Sequence, residues 1–171
     1  MSKLWSGRDD AGKQIPSPPG SSLRLELHFR NGGPSISGMN HTALEDKLGY
    51  RFNNPDLLVQ ALTHPSTDSK PETRRAYERL EFLGDAILQL AVTQYLYHHM
   101  PQSPEGELTQ LRARTVSRAN LGKYGFILGL DKHIALGKGE ERAGGRSKNS
   151  IIANTFESVF GAMSLDRKSV V

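Results

Sequence analysis

Residues 78–85 of the chain are Glu78, Arg79, Leu80, Glu81, Phe82, Leu83, Gly84 and Asp85. They open the most apolar stretch of the sequence, which continues to Val92. At about 100° per residue, the three acidic side chains of this run fall within one narrow sector of a helix. The apolar side chains opposite them are Leu80, Leu83, Ile87, Leu90 and Ala91. The run therefore predicts a long amphipathic helix with an acidic stripe.

Two apolar residues, Phe82 and Leu88, flank the acidic stripe, so we do not expect it to be fully solvated. Carboxylates beside buried surface are costly unless something compensates their charge. A hard divalent cation such as Mg²⁺ can compensate several converging carboxylates at once. The spacing alone is equally typical of an ordinary amphipathic helix, because acidic stripes are common on such helices.

A second polar sector is predicted on the last helix, between Ile151 and about Leu165. Asn154 and Glu157 lie three residues apart and therefore on one face of this helix. Its apolar side comprises Ile152, Phe156, Val159, Phe160 and Met163. If the polar sectors of the two helices face each other, the oxygen donors that meet are Glu81, Asp85, Asn154 and Glu157. Such a cluster of oxygen donors suits hard divalent cations such as Mg²⁺, which prefer oxygen ligands.

The other predicted helices are short, and they cover residues 44–48, 54–63, 103–118 and 119–128. Gly49 and Gly129 are expected to end the first and the last of them. Residues 68–75 are polar and are expected to form a connector, so that the long helix runs from Tyr77 to His99. No convincing strand pattern occurs after residue 41, and the sequence predicts an all-α fold.

Residues 1–40 are rich in Gly, Ser and Pro and are expected to be a disordered N-terminal extension. Within them, residues 23–30 alternate apolar and polar side chains as a strand does, but no partner strand is evident. Met39 stands just before the predicted domain, which we place at residues 41–171.

Composition excludes several classes of protein. The 171 residues suit one domain with a sizeable core, and no apolar stretch is long enough to span a membrane. The N-terminus lacks the apolar core of a secretion signal, and the absence of cysteine suits the cytoplasm. The net charge of +4 is weak evidence for an acidic partner, because half of it lies in residues 1–40.

Several blocks of the sequence follow one another in a recognisable order. They are Leu48–Phe52, Ala61–Ser66, Glu78–Asp85, Glu105–Thr109, Leu111–Ala113, Leu136–Glu141, Gly144–Arg146 and Ile152–Glu157. Together they resemble the ribonuclease III family, whose members are endonucleases that cut double-stranded RNA. The resemblance covers roughly residues 43–166 and implies the all-α helical fold of the ribonuclease III endonuclease domain.

The resemblance also implies roles for individual residues. The four metal ligands would be Glu81, Asp85, Asn154 and Glu157, of which Asp85 and Glu157 are catalytic. Glu78 and Glu107 occupy assisting positions, and Phe82 occupies the position of an anchor that inserts into the partner subunit. Asn154 departs from the commoner Asp, so it offers a carbonyl oxygen without a charge.

The segment 137–148 contains four glycines and four basic residues. Composition alone favours a flexible, solvated loop. Its position before the second acidic helix favours a different interpretation, in which Arg146 and Lys148 bind the RNA backbone. Arg112, Arg114 and Arg118 are more typical of a solvated helix face than of an RNA contact, and no histidine is assigned to a metal.

The function implied by the resemblance is Mg²⁺-dependent cleavage of double-stranded RNA, with Mn²⁺ as a substitute, in the processing of rRNA, tRNA and mRNA. The implied assembly is a homodimer with one cleavage centre per subunit. The alternative is a non-catalytic relative that binds RNA or the ribosome, which a damaged acidic set would indicate. We expect the domain to be incomplete at its C-terminus and to lack a double-stranded-RNA-binding domain, which would leave Val159, Phe160 and Met163 partly uncovered.

Overall fold

The computed structural model of the protein describes residues 41–67 and 70–167. The expectation of disorder at residues 1–40 lies outside this part of the chain. The described helices are α1 Thr42–Leu48, α2 Pro55–Leu62, α3 Pro71–His99, α4 Glu105–Thr115, α5 Arg118–Leu128, α6 Leu130–His133, α7 Lys138–Arg142 and α8 Asn149–Arg167. Two single turns of 3₁₀ helix lie at Pro65–Thr67 and Gly145–Ser147.

The described residues contain no strand, and the only β-type pairing among them is an isolated bridge between Thr63 and Ala135. The predicted all-α fold is therefore confirmed for this part of the chain. None of the described helices is long and apolar enough to cross a membrane.

Local sequence explains where several helices begin and end. The predicted glycine stops are confirmed, since Gly49 and Gly129 adopt positive φ angles of 62° and 81° after α1 and α5. The Asn54 side chain accepts a hydrogen bond from the backbone N–H of Asp56 and caps α2, whose first turn contains Pro55.

Two local predictions are wrong. The connector expected at residues 68–75 is short, because α3 begins at Pro71. A proline fits the first turn of a helix, where its missing N–H would have no intrahelical partner. The segment 137–148 is not an open loop, because it forms α7 and a 3₁₀ turn and ends at the start of α8.

Helix α8 lies at the centre of the domain and packs against α3, α5 and α2. Its buried apolar residues join those of the surrounding helices in one core, and those of α8 are Ile151, Ile152, Ala153, Phe156, Val159 and Ala162. Val159 is fully buried, so the expectation that it would be uncovered is wrong. Phe160 and Met163 pack against the core while remaining partly exposed, as expected.

The buried stripe of α3 differs from the predicted one. It runs through Tyr77, Leu80, Gly84 and Leu88, at helical spacings of three and four residues. Leu90, which was predicted on the core side, is 58% exposed, and Ala91 is also exposed. The stripe is shifted because α8 crosses α3 beside Gly84, which a count of apolar side chains does not reveal.

Asp166 fastens the end of α8 to the segment that leads into α2. Its carboxylate is fully buried and accepts hydrogen bonds from the Tyr50 hydroxyl at 2.7 Å and from the backbone N–H groups of Asn53 and Asn54 at 2.8 and 2.9 Å. Burial raises the pKa of Asp166, but these hydrogen bonds outweigh it and the net shift is downward.

We expect Asp166→Asn to destabilise the domain by about 2–4 kcal/mol at pH 7, because an amide replaces a fully buried carboxylate that accepts hydrogen bonds from three donors. A lowered folded-state pKa adds stability that is present above the unfolded pKa, near 4, and is lost as the pH falls toward the folded value. The difference between variant and parent in urea unfolding should therefore shrink below about pH 4. Asp56→Asn, at an exposed position of α2, is the control, and an equal loss there would contradict this role.

Candidate functional site

The candidate site is built where α3 and α8 cross with their backbones in contact. A Cβ atom added to Gly84 would lie 1.8 Å from the carbonyl oxygen of Glu157, and one added to Gly161 would lie 2.2 Å from that of Leu80. Only glycine permits this approach, because any side chain would overlap the facing backbone. The crossing brings the residues next to Gly84 on α3 beside those next to Glu157 on α8.

A buried polar contact fixes the same crossing one turn away. The Tyr77 hydroxyl hydrogen bonds with Thr155 Oγ1 at 3.0 Å, and the Ser158 hydroxyl donates to the Tyr77 carbonyl at 3.3 Å. All three side chains are buried, and burial raises the pKa of Tyr77 well above its ordinary value. The phenol therefore stays neutral and acts as a fixed spacer between the two helices.

The carboxylates at the crossing interact strongly with one another. Burial and the charges of Glu81 and Asp85 together raise the pKa of Glu157 to about 7, against a lowering by Arg118. Burial also raises the pKa of Glu81, with Glu78 adding to the rise and Arg118 and Asn154 opposing it. Negative charge is thus concentrated at one place, contributed by two helices.

The four residues predicted as metal ligands are therefore neighbours, and we call Glu81, Asp85, Asn154 and Glu157 the acidic group. Their donors are all carboxylate or amide oxygens, which suits a hard cation such as Mg²⁺. Within residues 41–67 and 70–167, no three His, Asp or Glu side chains form a group that could hold a metal ion as they stand. The acidic group therefore fits Mg²⁺ in the type of its donor atoms. Mg²⁺ commonly keeps several water ligands, so it needs few ligands from the protein.

Asp85 has a partner on its own helix. Both of its carboxylate oxygens accept hydrogen bonds from Gln89 Nε2, at 3.0 and 2.9 Å. Because Gln89 lies one turn further along α3, it holds the Asp85 carboxylate in one orientation beside the crossing. Sequence reasoning did not assign Gln89 a role.

The two basic residues predicted to bind RNA have partners inside the protein. Arg146 donates from Nη1 to the carbonyls of Asp131 and Ile134 at 2.7 and 2.8 Å and pairs with Glu141. Lys148 forms an ion pair with Glu140 at 2.5 Å, yet its side chain remains exposed. Arg146 thus ties α7 to the end of α6, and Lys148 is the more available of the two.

Arg118 is the residue at this site that sequence reasoning assigned to a solvated face. It begins α5, a third helix, and its positive charge acts on both Glu81 and Glu157. The order of residues along α4 and α5 gives no signal for this, because it depends on how α5 packs against α8.

The sequence pattern of the Ribonuclease-III-like family matches residues 54–170, a range that includes the whole acidic group. The chain belongs to the ribonuclease III family. Proteins named Ribonuclease 3 are 46% identical to it over 129 residues in Carboxydothermus hydrogenoformans and 44% identical over 124 residues in Lactobacillus johnsonii. These alignments cover 74% and 72% of this chain but 55% of each relative, so the chain spans about half the length of the curated relatives it matches.

Solved structures of ribonuclease III agree with the fold. A nuclease domain of ribonuclease III from Campylobacter jejuni has a TM-score of 0.69 and 39% identity, covering 74% of this chain and 86% of that one. Its structure is described as showing flexibility in a region involved in dimer formation. Dicer from Pichia stipitis has a TM-score of 0.52 and 28% identity, over 69% of this chain and 49% of its own.

The remaining residues for which the ribonuclease III resemblance implies a role lie outside the crossing. Glu78 is exposed and acts on Glu81 through its charge, with Arg74 as a partner at 4.0 Å. Glu107 is exposed on α4, and the described residues show no hydrogen bond or ion pair between it and the acidic group. Phe82 is 81% exposed beside Glu81, so within residues 41–67 and 70–167 no side chain covers its ring.

Proposed function

We propose that this protein is a metal-dependent endoribonuclease that cleaves double-stranded RNA. The natural substrates would be precursors of rRNA, tRNA and mRNA in the cytoplasm, and the cofactor would be Mg²⁺, with Mn²⁺ able to replace it. The proposal is supported by membership of the ribonuclease III family and by relatives named Ribonuclease 3.

The observation that carries the proposal is the concentration of carboxylates around Glu157. Its carboxylate has a pKa of about 7 because it is half-buried and carries the repulsion of the Glu81 and Asp85 charges. A stable fold gains nothing from three carboxylates held together, since like charges repel and burial adds a cost. Perturbed groups of this kind are typical of functional sites, and a divalent cation would relieve the repulsion.

In this proposal, Glu81 and Asp85 of α3 and Asn154 and Glu157 of α8 hold the cation, directly or through water. The bound ion would supply an activated water and would stabilise charge on the attacking and leaving oxygens of the phosphodiester. Asn154 contributes an oxygen without adding charge, so it limits the repulsion within the acidic group. Glu78 adds negative charge at its edge, and Glu107 would assist from α4.

RNA would be bound mainly through its phosphates and its shape, as is usual for double-stranded RNA. Of the two predicted contacts, Lys148 is the better placed, because its side chain is exposed and a surface ion pair is weak enough to exchange for a phosphate. Arg146 would act by holding α7 and the following turn in place, since two carbonyls already occupy its guanidinium.

The proposed assembly is a homodimer in which Phe82 inserts into the partner subunit. An aromatic ring that is 81% exposed on a rigid helix is costly in water, and covering it in an interface would remove that cost. A twofold arrangement would place the acidic groups of both subunits against one duplex, one for each strand.

We expect Phe82→Ala to weaken the dimer by about 2 kcal/mol or more, since truncating a central aromatic anchor commonly has an effect of this size. Sedimentation equilibrium would measure the change. Ile127→Ala is the matched control, because Ile127 is 74% exposed on α5 and lies on a different helix. An unchanged dimer constant in the Phe82 variant would reject this residue as the anchor.

Cleavage of a long, uniformly labelled RNA duplex tests the proposed function most directly. We expect cleavage with Mg²⁺ or Mn²⁺, none with excess EDTA, and far slower cleavage of single-stranded RNA of the same sequence. Duplex binding without cleavage under every metal condition would instead favour a non-catalytic, RNA-binding relative. If the protein neither bound nor cleaved the duplex, both functions would be rejected.

A further inference from the structure

The 3₁₀ turn Pro65–Thr67 fixes the place where α7 begins. The Ser66 hydroxyl oxygen accepts a hydrogen bond from the backbone N–H of Gly137 at 2.9 Å. A Cβ atom added to Gly137 would lie 1.8 Å from the Ser66 carbonyl oxygen, so the two backbones touch. Because Gly137 immediately precedes α7, this contact sets the position of the first residue of that helix.

The His64 ring orients the Ser66 hydroxyl. Its Nδ1 lies 2.8 Å from Ser66 Oγ and accepts a hydrogen bond from the backbone N–H of Ser66 at 3.1 Å. A backbone N–H can only donate, so Nδ1 is an acceptor and the neutral ring carries its proton on Nε2. Burial lowers the pKa of His64, against a rise caused by Glu140, which agrees with a neutral ring at pH 7. The Ser66 hydroxyl therefore donates to Nδ1 and turns its oxygen toward the N–H of Gly137.

The backbone and the ring of His64 are both held in place. Its N–H donates to the Ala135 carbonyl at 3.1 Å, and its carbonyl accepts hydrogen bonds from the N–H and Oγ1 of Thr67 at 3.0 and 2.8 Å. The ring meets the Tyr77 ring edge to face, with centroids 5.8 Å apart. Since Tyr77 is the buried spacer between α3 and α8, His64 rests on the frame that supports the acidic group.

The segment that begins at Gly137 carries Lys148, the residue that the proposed function places against the RNA backbone. Lys148 pairs with Glu140 of α7, and a Cβ atom added to Gly145 would lie 2.7 Å from Glu140 Cγ. Helix α7 and the turn that follows it are thus packed together as one unit. Arg146 anchors the end of this unit to the carbonyls around α6, and Gly137 anchors its beginning. A shift of Gly137 would therefore displace Lys148 as well.

We propose that His64 is a positioning residue for RNA binding, which holds the Ser66 hydroxyl so that Gly137 and α7 present Lys148 to an RNA phosphate. This inference rests on the proposed function, because it requires that Lys148 contacts RNA. His64 acts through the turn and through α7, and its own Nε2–H does not touch the RNA.

Two substitutions that each imitate one ring nitrogen test the proposal through binding of a labelled RNA duplex in EDTA. Asparagine offers an acceptor oxygen near the position of Nδ1, whereas glutamine offers an amide N–H near the position of Nε2. We expect His64→Asn to keep the parent affinity and His64→Gln to bind about fivefold more weakly, the scale of one exposed charge contact. His98→Gln, at an exposed position near the end of α3, is the control and should bind as the parent does.

Salt dependence and a double-mutant cycle give readouts that a merely structural role would not affect. In His64→Gln, the slope of log affinity against log salt should fall by about one, because one phosphate contact is lost. In the Lys148→Gln background, His64→Gln should cause no further loss of affinity, because both changes remove the same contact. Ser66→Ala keeps the ring and removes only the hydroxyl, so it should show the same loss if His64→Gln fails to fold in urea unfolding.

The outcomes separate this inference from the proposed function. Equal affinities of His64→Asn and His64→Gln would overturn the positioning role, and so would additive losses with Lys148→Gln. Weaker binding by His64→Asn with parent-like binding by His64→Gln would also overturn it, and would make Nε2–H a direct phosphate donor. All three results leave the proposed function intact, whereas a parent protein that does not bind the duplex would overturn both.

Discussion

Replacing Glu157 by Gln is expected to slow the cleavage of duplex RNA about a thousandfold or more, with little change in RNA affinity. In the proposed site, Glu157 of α8 holds the cation together with Glu81 and Asp85 of α3. Its loss therefore removes the α8 carboxylate from the group that holds the cation. Removing one essential electrostatic group from a catalytic site commonly costs this much in turnover. Binding should persist, because it depends on contacts with the phosphate backbone.

Although it loses activity, the same variant should be more stable than the parent at high pH. The pKa of Glu157 is raised in the folded protein, so the folded state binds more protons than the unfolded state between about pH 4.5 and pH 7. The parent therefore loses stability as the pH rises through this window, and Glu157→Gln does not. In EDTA at pH 8 we expect the variant to unfold at a higher temperature than the parent, with the difference disappearing near pH 4.

Glu72→Gln is the control for both measurements, because Glu72 is exposed in the first turn of α3, about 14 Å along the helix from Glu81. It should cleave at the parent rate and show no pH-dependent gain in unfolding temperature over the parent. Added Mg²⁺ should stabilise the parent and the control but not Glu157→Gln. Parent-like cleavage by Glu157→Gln in Mg²⁺ would show that the catalytic site lies elsewhere.

Those parts of the fold that depend on local sequence were predictable. Periodicity located the long helix and the last helix, and Gly49 and Gly129 located two helix ends. The acidic group could be proposed because its residues recur at helical spacing within blocks that resemble a family. Their roles as ligands remain predictions, since proximity in the structure is not a measurement of binding.

The rest depends on which helices touch, and periodicity carries no information about that. The buried stripe of α3 is centred on Gly84 because α8 crosses there, so Leu90 is exposed although it belongs to the apolar side of the sequence pattern. Arg118 joins the acidic group because α5 packs on α8, and Arg146 turns inward because two backbone carbonyls lie within reach. Each of these contacts joins residues that belong to different helices or turns.

The close approach at Gly84 leads to the second large effect. Gly84→Ala should destabilise the domain by about 3 kcal/mol or more, because its Cβ would lie 1.8 Å from the Glu157 carbonyl oxygen and the facing backbone cannot yield as a side chain could. If α3 and α8 separate, Glu81 and Asp85 move away from Glu157. Cleavage should therefore fall even under conditions in which the variant remains folded.

Gly106→Ala separates this steric effect from the general effect of replacing a helical glycine. Gly106 lies in α4 with no atom within 4 Å of an added Cβ, so alanine there should be neutral or stabilising by up to about 1 kcal/mol. Urea unfolding of both variants measures the contrast. Equal midpoints for Gly84→Ala and the parent would mean that the helices do not cross in backbone contact, and the acidic group would then lack the framework that brings its two halves together.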